Sequence, residues 1–316
     1  MLSFSVIVTN YNGRKILADC LQSIFQKTEG AAYEVIVVDD ASKDDSVDMV
    51  KSKFPNVQLI VNPRNVGFSE ANNVGMRAAK GRYLLLLNND TILHNNAFAV
   101  MVKFMDAHPE VGIAGGQLLN LQGKPDISYG SFPSLLEALH TGLFLDKLFS
   151  GARWVKIKGM SPSPDITKPV EVDYICGADI VIRREVLEEI GFLDLQFRAY
   201  CEETDFCYRA KKTGKWKVMY VPEAQIIHLF SMTWGSASER KTQLLYRSYW
   251  LYYLKHFNPF YGMIARLLYA FRYAVIFILS VIRSRLNPHK AEMYRTRYKE
   301  AGWTLKYALF PNRQTS

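Results

Sequence analysis

The stretch "YLLLLNNDTIL", residues 83–93, decides the fold. A tyrosine and four consecutive leucines show no amphipathic period, the pattern of a strand buried on both faces. The run then stops at Asn88, Asn89 and Asp90. Three polar side chains where a strand leaves the core either form a turn and helix cap, for which Asn and Asp are suited, or hold a ligand.

Outward from this strand, the first half alternates. "FSVIVT" (4–9), "YEVIVVDD" (33–40), "VQLIV" (57–61) and "VGIAGG" (111–116) read as further strands. "KILADCLQSIFQ" (15–26), "SVDMVKSKF" (46–54), "FSEANNVGMRAA" (68–79) and "NNAFAVMVKFMDA" (95–107) read as helices, the last ended by His108-Pro109. Strands alternating with helices predict an α/β fold with a mostly parallel sheet flanked by helices. Ligands of such sheets lie outside the carboxyl ends of the strands. Those ends read Thr9-Asn10-Tyr11-Asn12, Asp39-Asp40-Ala41-Ser42 and Asn88-Asn89-Asp90, so amides and carboxylates converge on one rim. No G-x-G-x-x-G follows the first strand and no P-loop is present. An acidic rim of this kind meets phosphate through a divalent cation and accepts hydrogen bonds from a base or ribose.

Composition narrows the class. Hydrophobic residues make up 49% of 316, enough for a sizeable core and against disorder. The net charge of +9 is uneven: from Arg240 onward 14 Lys/Arg face 2 Asp/Glu, a net of +12, which leaves −3 for residues 1–239. Cys20, Cys176, Cys201 and Cys207 form no C-x-x-C, which suggests neither a zinc site nor a redox motif. "MLSFSVIVTNYNG" reads as a first strand and not as a signal peptide, so the body is expected in the cytoplasm.

Four stretches in order, "SVIVTNYNG", "EVIVVDDASKDDS", "NVGFSEANNVG" and "LLLLNNDT", resemble the inverting family-two glycosyltransferases of the GT-A fold. The resemblance runs from about residue 4 to about residue 235 and is narrowest to the bacterial rhamnosyltransferase branch. It implies a nucleotide-diphospho-sugar transferase in which Asp90, the last residue of an Asp-x-Asp element, holds a divalent cation (Mg2+ or Mn2+) against the donor diphosphate. Asn88 replaces the first Asp, and Asn88 or Asn89 is expected to contact the sugar or ribose. Asp40 resembles the acid that accepts from the pyrimidine N3, with Asp39 supporting it and Thr9, Asn10 and Tyr11 beside the base. Arg64, Asn65 and Gly67 correspond to a loop passing under the nucleotide.

The second half carries the acceptor chemistry. Residues 120–170 have little periodicity and read as a variable loop region. "ADIVIRREVLEEIG" (178–191) reads as strand then helix, and "EETDFCYRAKKTG" (202–214) as a helix with acids in its first turn. Those acids are either simple first-turn residues or the base. The family writes Glu-Asp-x-Asp here, its second acid taking the acceptor proton; this chain writes Glu202-Glu203-Thr204-Asp205. Glu203 holds the base position, one methylene longer than usual, which leaves open whether Glu202 or Glu203 reaches the hydroxyl. Asp205 is expected to brace the helix start or Arg209. The resemblance implies that His228 completes the metal shell or touches the diphosphate, with Ser231 and Trp234 lining the same site.

The expected organisation is a catalytic domain over 1–238, divided at 118/119 into nucleotide-sugar and acceptor halves, and a basic, aromatic, helical tail over 239–316. The longest uncharged run around the tail's apolar centre is Tyr273–Ile282. This is short of the roughly 20 residues a span needs, with Arg266 and Arg272 interrupting the flank. Aromatics beside Lys and Arg fit helices lying at a membrane interface. The alternatives are an ordinary helical subdomain or a dimer contact. No nucleic-acid motif appears. The expectations are therefore a dTDP- or UDP-sugar donor, with dTDP-rhamnose suggested by the branch, and a lipid-linked or cell-surface glycan acceptor. Peripheral attachment to the inner face of the plasma membrane and self-association through the C-terminal helices are also expected. The alternative function is a non-catalytic nucleotide-sugar-binding protein of a membrane glycan-assembly complex.

Overall fold

The computed structural model describes residues 2–145, 166–229 and 238–310. They form two compact units: 2–132 with 166–198 and 202–229, and 133–145 with 199–201 and 238–310.

The first unit is built on a mixed sheet. β1 (Phe4–Asn10) lies between β2 (Tyr33–Asp39) and β4 (Tyr83–Asn88), with β3 (Gln58–Val61) outside β2. These four are parallel, Phe4 standing opposite Tyr33 on one side and Tyr83 on the other. Helices α1 (Arg14–Lys27), α2 (Ser46–Lys53) and α3 (Phe68–Ala78) make the crossovers. The leucine run is explained by this placement. Leu85 and Leu87 join Val6 and Val8 in the core under α1 and α4 (Ala97–Ala107), while Leu84 and Leu86 join Ile7 in the core under α3. Both faces of β4 are buried, so no polar position interrupts it.

Beyond β4 the direction changes. β10 (Asp179–Arg183) runs antiparallel between β4 and β6 (Val111–Leu119). β11 (Lys217–His228) returns parallel to β6 and carries β5 (Thr91–Leu93) and β8 (Val170–Glu171) as antiparallel partners. β7 (Tyr129–Gly130) and β9 (Tyr174–Ile175) form a small separate pair. Helices α6 (Arg184–Ile190) and α7 (Glu202–Lys212) follow β10.

The second unit is helical: α5 (Leu135–Gly142), α8 (Glu239–His256), α9 (Pro259–Leu286), a short 3-10 turn at Pro288–Lys290 and α10 (Ala291–Leu309). Ala138, Trp250, Tyr253, Ala265, Tyr269 and Ala308 form its centre. Ser134, Ser238 and Asn258 cap the starts of α5, α8 and α9 by accepting from the backbone N–H three residues on, and Pro259 follows the third cap, where its missing N–H is harmless. The Glu137 carboxylate accepts from the hydroxyls of Tyr249 and Tyr269 at 3.2 and 3.0 Å.

The 28 residues of α9 are one uninterrupted helix, long and apolar enough to cross a membrane by length and composition. Arg266 and Arg272, which interrupt the apolar sequence, do not interrupt its outer face. Arg266 donates to the carbonyls of Ala308 and Leu309 at 2.9 and 2.6 Å, and Arg272 donates to that of Thr141. Both guanidiniums satisfy carbonyls at the ends of neighbouring helices.

One glycine in α3 tests the packing. A Cβ at Gly75 would lie 2.3 Å from Ile7 Cγ2 and 3.3 Å from Val38 Cγ2. Helix propensity alone would have Gly75→Ala stabilise by about 1 kcal/mol. The contact with β1 predicts the reverse, a loss of roughly 1–3 kcal/mol, read as a lowered urea midpoint.

Candidate active site

Two buried acids at the end of β2 organise the first part of the rim. Asp39 Oδ2 accepts from Asn10 Nδ2 at 2.9 Å, and Asp39 Oδ1 accepts from the Ser42 N–H at 2.8 Å. Asp40 Oδ1 accepts from Asn62 Nδ2 and the Val66 N–H at 3.0 and 2.9 Å, and its Oδ2 from the Gly67 N–H at 3.0 Å. Gly67, at φ 89°, adopts the left-handed conformation this loop requires before α3 begins. Ser42 Oγ ties the loops after β1 and β2 together by accepting from the Asn12 N–H at 2.9 Å. Asn89 Nδ2 donates to Asn10 Oδ1 at 2.8 Å, joining the end of β4 to that of β1. Thr9 lies in register with Val38 and Asn88. Tyr11 is half exposed, and Arg64 and Asn65 are exposed.

A second part of the rim is assembled by β5. Its antiparallel pairing with β11 sets Thr91 opposite His228, and the Leu229 N–H donates to the Asp90 carbonyl at 2.8 Å. Asp90 Oδ1 and His228 Nε2 therefore stand 3.3 Å apart, both largely buried. Among the described residues no three His, Cys, Asp or Glu side chains converge into a complete metal cage. One carboxylate and one imidazole nitrogen fit a divalent cation whose other positions are left to diphosphate oxygens and water. Ser231 and Trp234 lie outside the described residues.

The acidic pair meets this rim through the β9–β10 connection. The Asn88 N–H donates to the Ala178 carbonyl at 3.0 Å. At the adjacent Gly177, a Cβ would lie 3.9 Å from Glu202 Oε1 and from Glu203 Cβ and Cδ. Glu202 is 6% exposed, and Oε2 of both Glu202 and Glu203 is buried without a hydrogen-bond partner. Burial pushes the Glu202 carboxyl well above its ordinary value, and the charge of Glu203 pushes it further. Burial also raises Glu203, but a hydrogen bond from Glu202 offsets part of that rise. Two carboxyls this close disfavour ionising together. Asp205 is committed elsewhere, accepting from Arg209 Nε at 2.8 Å as its spacing predicts.

The structure adds residues that the sequence reading passed over. Asn62 holds Asp40. Ser69 and Asn73 tie α3 to the 193–197 loop, by a Ser69 Oγ donation to the Phe197 carbonyl and a reciprocal Asn73–Leu193 pair. Asp179, fully buried in β10, accepts from the Gly116 N–H through Oδ2 while its Oδ1 has no partner. Burial raises it well above the carboxylate range. A single acid inside "ADIVI" was the available signal. None of the four cysteines forms a disulfide, and burial pushes Cys20 and Cys207 up to about 12, which leaves them unreactive thiols.

The model of glycosyl transferase family 2 matches residues 5–191. The chain belongs to this family. Minor teichoic acid biosynthesis protein GgaB of Bacillus subtilis is 32% identical over 126 residues, which are 38% of this chain and 14% of that protein. The N-acetylglucosaminyl-diphospho-decaprenol L-rhamnosyltransferase of Mycobacterium tuberculosis is 23% identical over 235 residues, 71% of this chain and 75% of that one. The crystal structure of GalNAc-T7 with UDP, GalNAc and Mn2+ superposes with a TM-score of 0.61 at 18% identity, over 98% of this chain and 56% of that one. The fold is therefore GT-A, and the chain spans less than half the length of the first curated relatives it matches.

The raised acids give a signed pH dependence. A carboxyl raised in the fold contributes stability that is full below its ordinary value of 4.5 and is lost as pH rises through the raised one. Thermal unfolding should show wild type weakening from mildly acidic to alkaline pH. Glu202→Gln should flatten that decline, and adding Asp179→Asn should flatten it further. An unchanged slope in both variants would mean these acids ionise normally.

Proposed function

We propose an inverting, metal-dependent glycosyltransferase that moves a sugar from a nucleotide-diphosphate donor to a hydroxyl of a lipid-linked or cell-surface glycan. The observation that carries it is the Glu202–Glu203 pair, set against the Asn88–Asp90 rim through Gly177 and Ala178. Direct displacement forms the bond from the acceptor oxygen to the anomeric carbon as the bond to the diphosphate breaks. The acceptor proton passes to Glu203. Glu202 keeps its own proton and holds Glu203 by a hydrogen bond, so the pair carries one negative charge and not two.

Asp40, braced by Asp39, faces the donor base together with Thr9, Asn10 and Tyr11. Asn88 and Asn89 take the sugar or ribose, and the Arg64–Gly67 loop passes under the nucleotide. Asp90 and His228 hold Mg2+ or Mn2+. When bound, that cation neutralises charge on the leaving diphosphate. A dTDP- or UDP-linked donor suits these groups. The likeness to the mycobacterial rhamnosyltransferase, over 71% of this chain, supports dTDP-rhamnose as the first donor to try. Work on a membrane-borne acceptor places the enzyme in the cytoplasm at the inner membrane face.

The test is transfer from a panel of UDP-, GDP- and dTDP-sugars with Mn2+ to a lipid-diphosphate glycan, with wild type beside Glu203→Gln. One donor should turn over, and the variant should lose about 100- to 10,000-fold in kcat while still binding the donor. Loss confined to Glu202→Gln would move the base to Glu202. Donor binding without turnover across the panel would favour a non-catalytic role.

A further inference from the structure

We infer that the outer face of α9 is a bilayer-docking surface, which lies in the plane of an anionic membrane at the boundary between headgroups and acyl chains. This deepens the proposed use of a membrane-borne acceptor by naming the surface that meets the lipid.

Phe260, Met263, Leu267, Phe271, Ile278 and Ile282 recur at spacings of three, four or seven along α9, so they share one stripe. They are between 46% and 61% exposed. From Pro259 to Ile282 the only charged residues are Arg266 and Arg272, and both are turned onto carbonyls of α10 and α5. The stripe is therefore free of charge over about 35 Å of helix. A continuous exposed apolar band of this length marks an interaction surface.

Charge selects the occupant. Where the stripe ends, Arg283, Arg285, Lys290, Arg295, Arg297 and Lys299 are all exposed. The same stretch offers Glu292 and Glu300 as its acids. Of the other described acids in this unit, Glu137 is bound by two tyrosines and Glu239 by Lys306 and Tyr307. Among the described residues, a second copy of the unit thus presents no acidic patch to meet the cations. Lipid phosphates do. Crossing the bilayer is excluded by the opposite face of α9. There Ala265, Tyr269 and Ala270 are packed in the unit's core, and a span would carry Arg266 and Arg272 with their partner helices into hydrocarbon. In plane, the stripe enters the boundary by roughly 5–10 Å.

Flotation of the full chain with vesicles of phosphatidylcholine alone, or of phosphatidylcholine with phosphatidylglycerol, tests this. Wild type should bind the anionic vesicles and be released by high salt. The triple variant Leu267→Glu, Phe271→Glu, Ile278→Glu should lose at least about 100-fold in partitioning. Arg295→Gln with Arg297→Gln should lose roughly fivefold per residue. Circular dichroism and transfer to a soluble acceptor check that the fold and the chemistry persist, so failure here is separable from failure of the proposed activity. Should the triple variant misfold, Phe271→Trp read against wild type should show a blue-shifted emission on vesicle addition. Three outcomes overturn the inference: undiminished binding by the triple variant with no emission shift in Phe271→Trp; a vesicle-indifferent dimer that the triple variant makes monomeric; or bound protein that resists both salt and alkaline carbonate.

Discussion

The rim at the ends of β1, β2 and β3 depends on the burial of two adjacent carboxylates, Asp39 and Asp40, 1% and 4% exposed at the end of β2. An ionised carboxylate loses several kcal/mol of hydration when buried and is stable there only if donors replace the water. Here the donors come from three different loops: Asn10 after β1, Ser42 after β2, and Asn62, Val66 and Gly67 after β3. Each charge-assisted bond is worth about 1.5–3 kcal/mol. The loops are therefore fixed to one another by the protein itself. Asn89 extends the same network to β4, so the rim is preorganised at all of its strand ends.

The parallel half of the sheet was legible because burial on both faces leaves a signature in each strand on its own. "LLLL" needs no partner to be read. The arrival of β10 between β4 and β6 was not, because a pairing between residues about a hundred apart has no local mark. That insertion is what carries Gly177 and Ala178 past Asn88 and lets the acids of α7 approach the rim. β5 escaped for a related reason: three residues are too few to show a period, yet their pairing with β11 brings His228 to Asp90. In the tail, sequence gives a charge but not its direction. Arg266 and Arg272 look like breaks in an apolar run until their partners on other helices are known.

At Asp40 the residue was legible while its full work was not. Its resemblance marked it as an acceptor for the donor base, but three protein donors already occupy its oxygens. A carboxylate offers about four acceptor positions, so a base can still be accommodated. The first task of this side chain, however, is to shape the loop that carries Gly67. Loss of the acid would disturb that loop whatever it does to the base.

The buried acids divide into two kinds, and the division is informative. Asp39, Asp40 and Asp205 are buried and accept hydrogen bonds from protein donors. Glu202 and Asp179 are buried and Glu203 is partly buried, and each leaves an oxygen without a partner, at roughly 1–3 kcal/mol for each orphaned group. Glutamine or asparagine would avoid the ionisation penalty at the same size. Retaining acids there requires a benefit from the proton itself. On the proposed mechanism the benefit for Glu202 and Glu203 is that two neighbouring carboxyls do not both ionise. Asp179 sits one strand residue beyond Ala178, in the same connection that carries the pair to the rim, and its raised carboxyl also bears on Cys176 and Tyr220. The two kinds therefore differ in their donors: the rim acids Asp39 and Asp40 are hydrogen-bonded from several loops, and the acids of α7 and β10 keep an unpartnered oxygen.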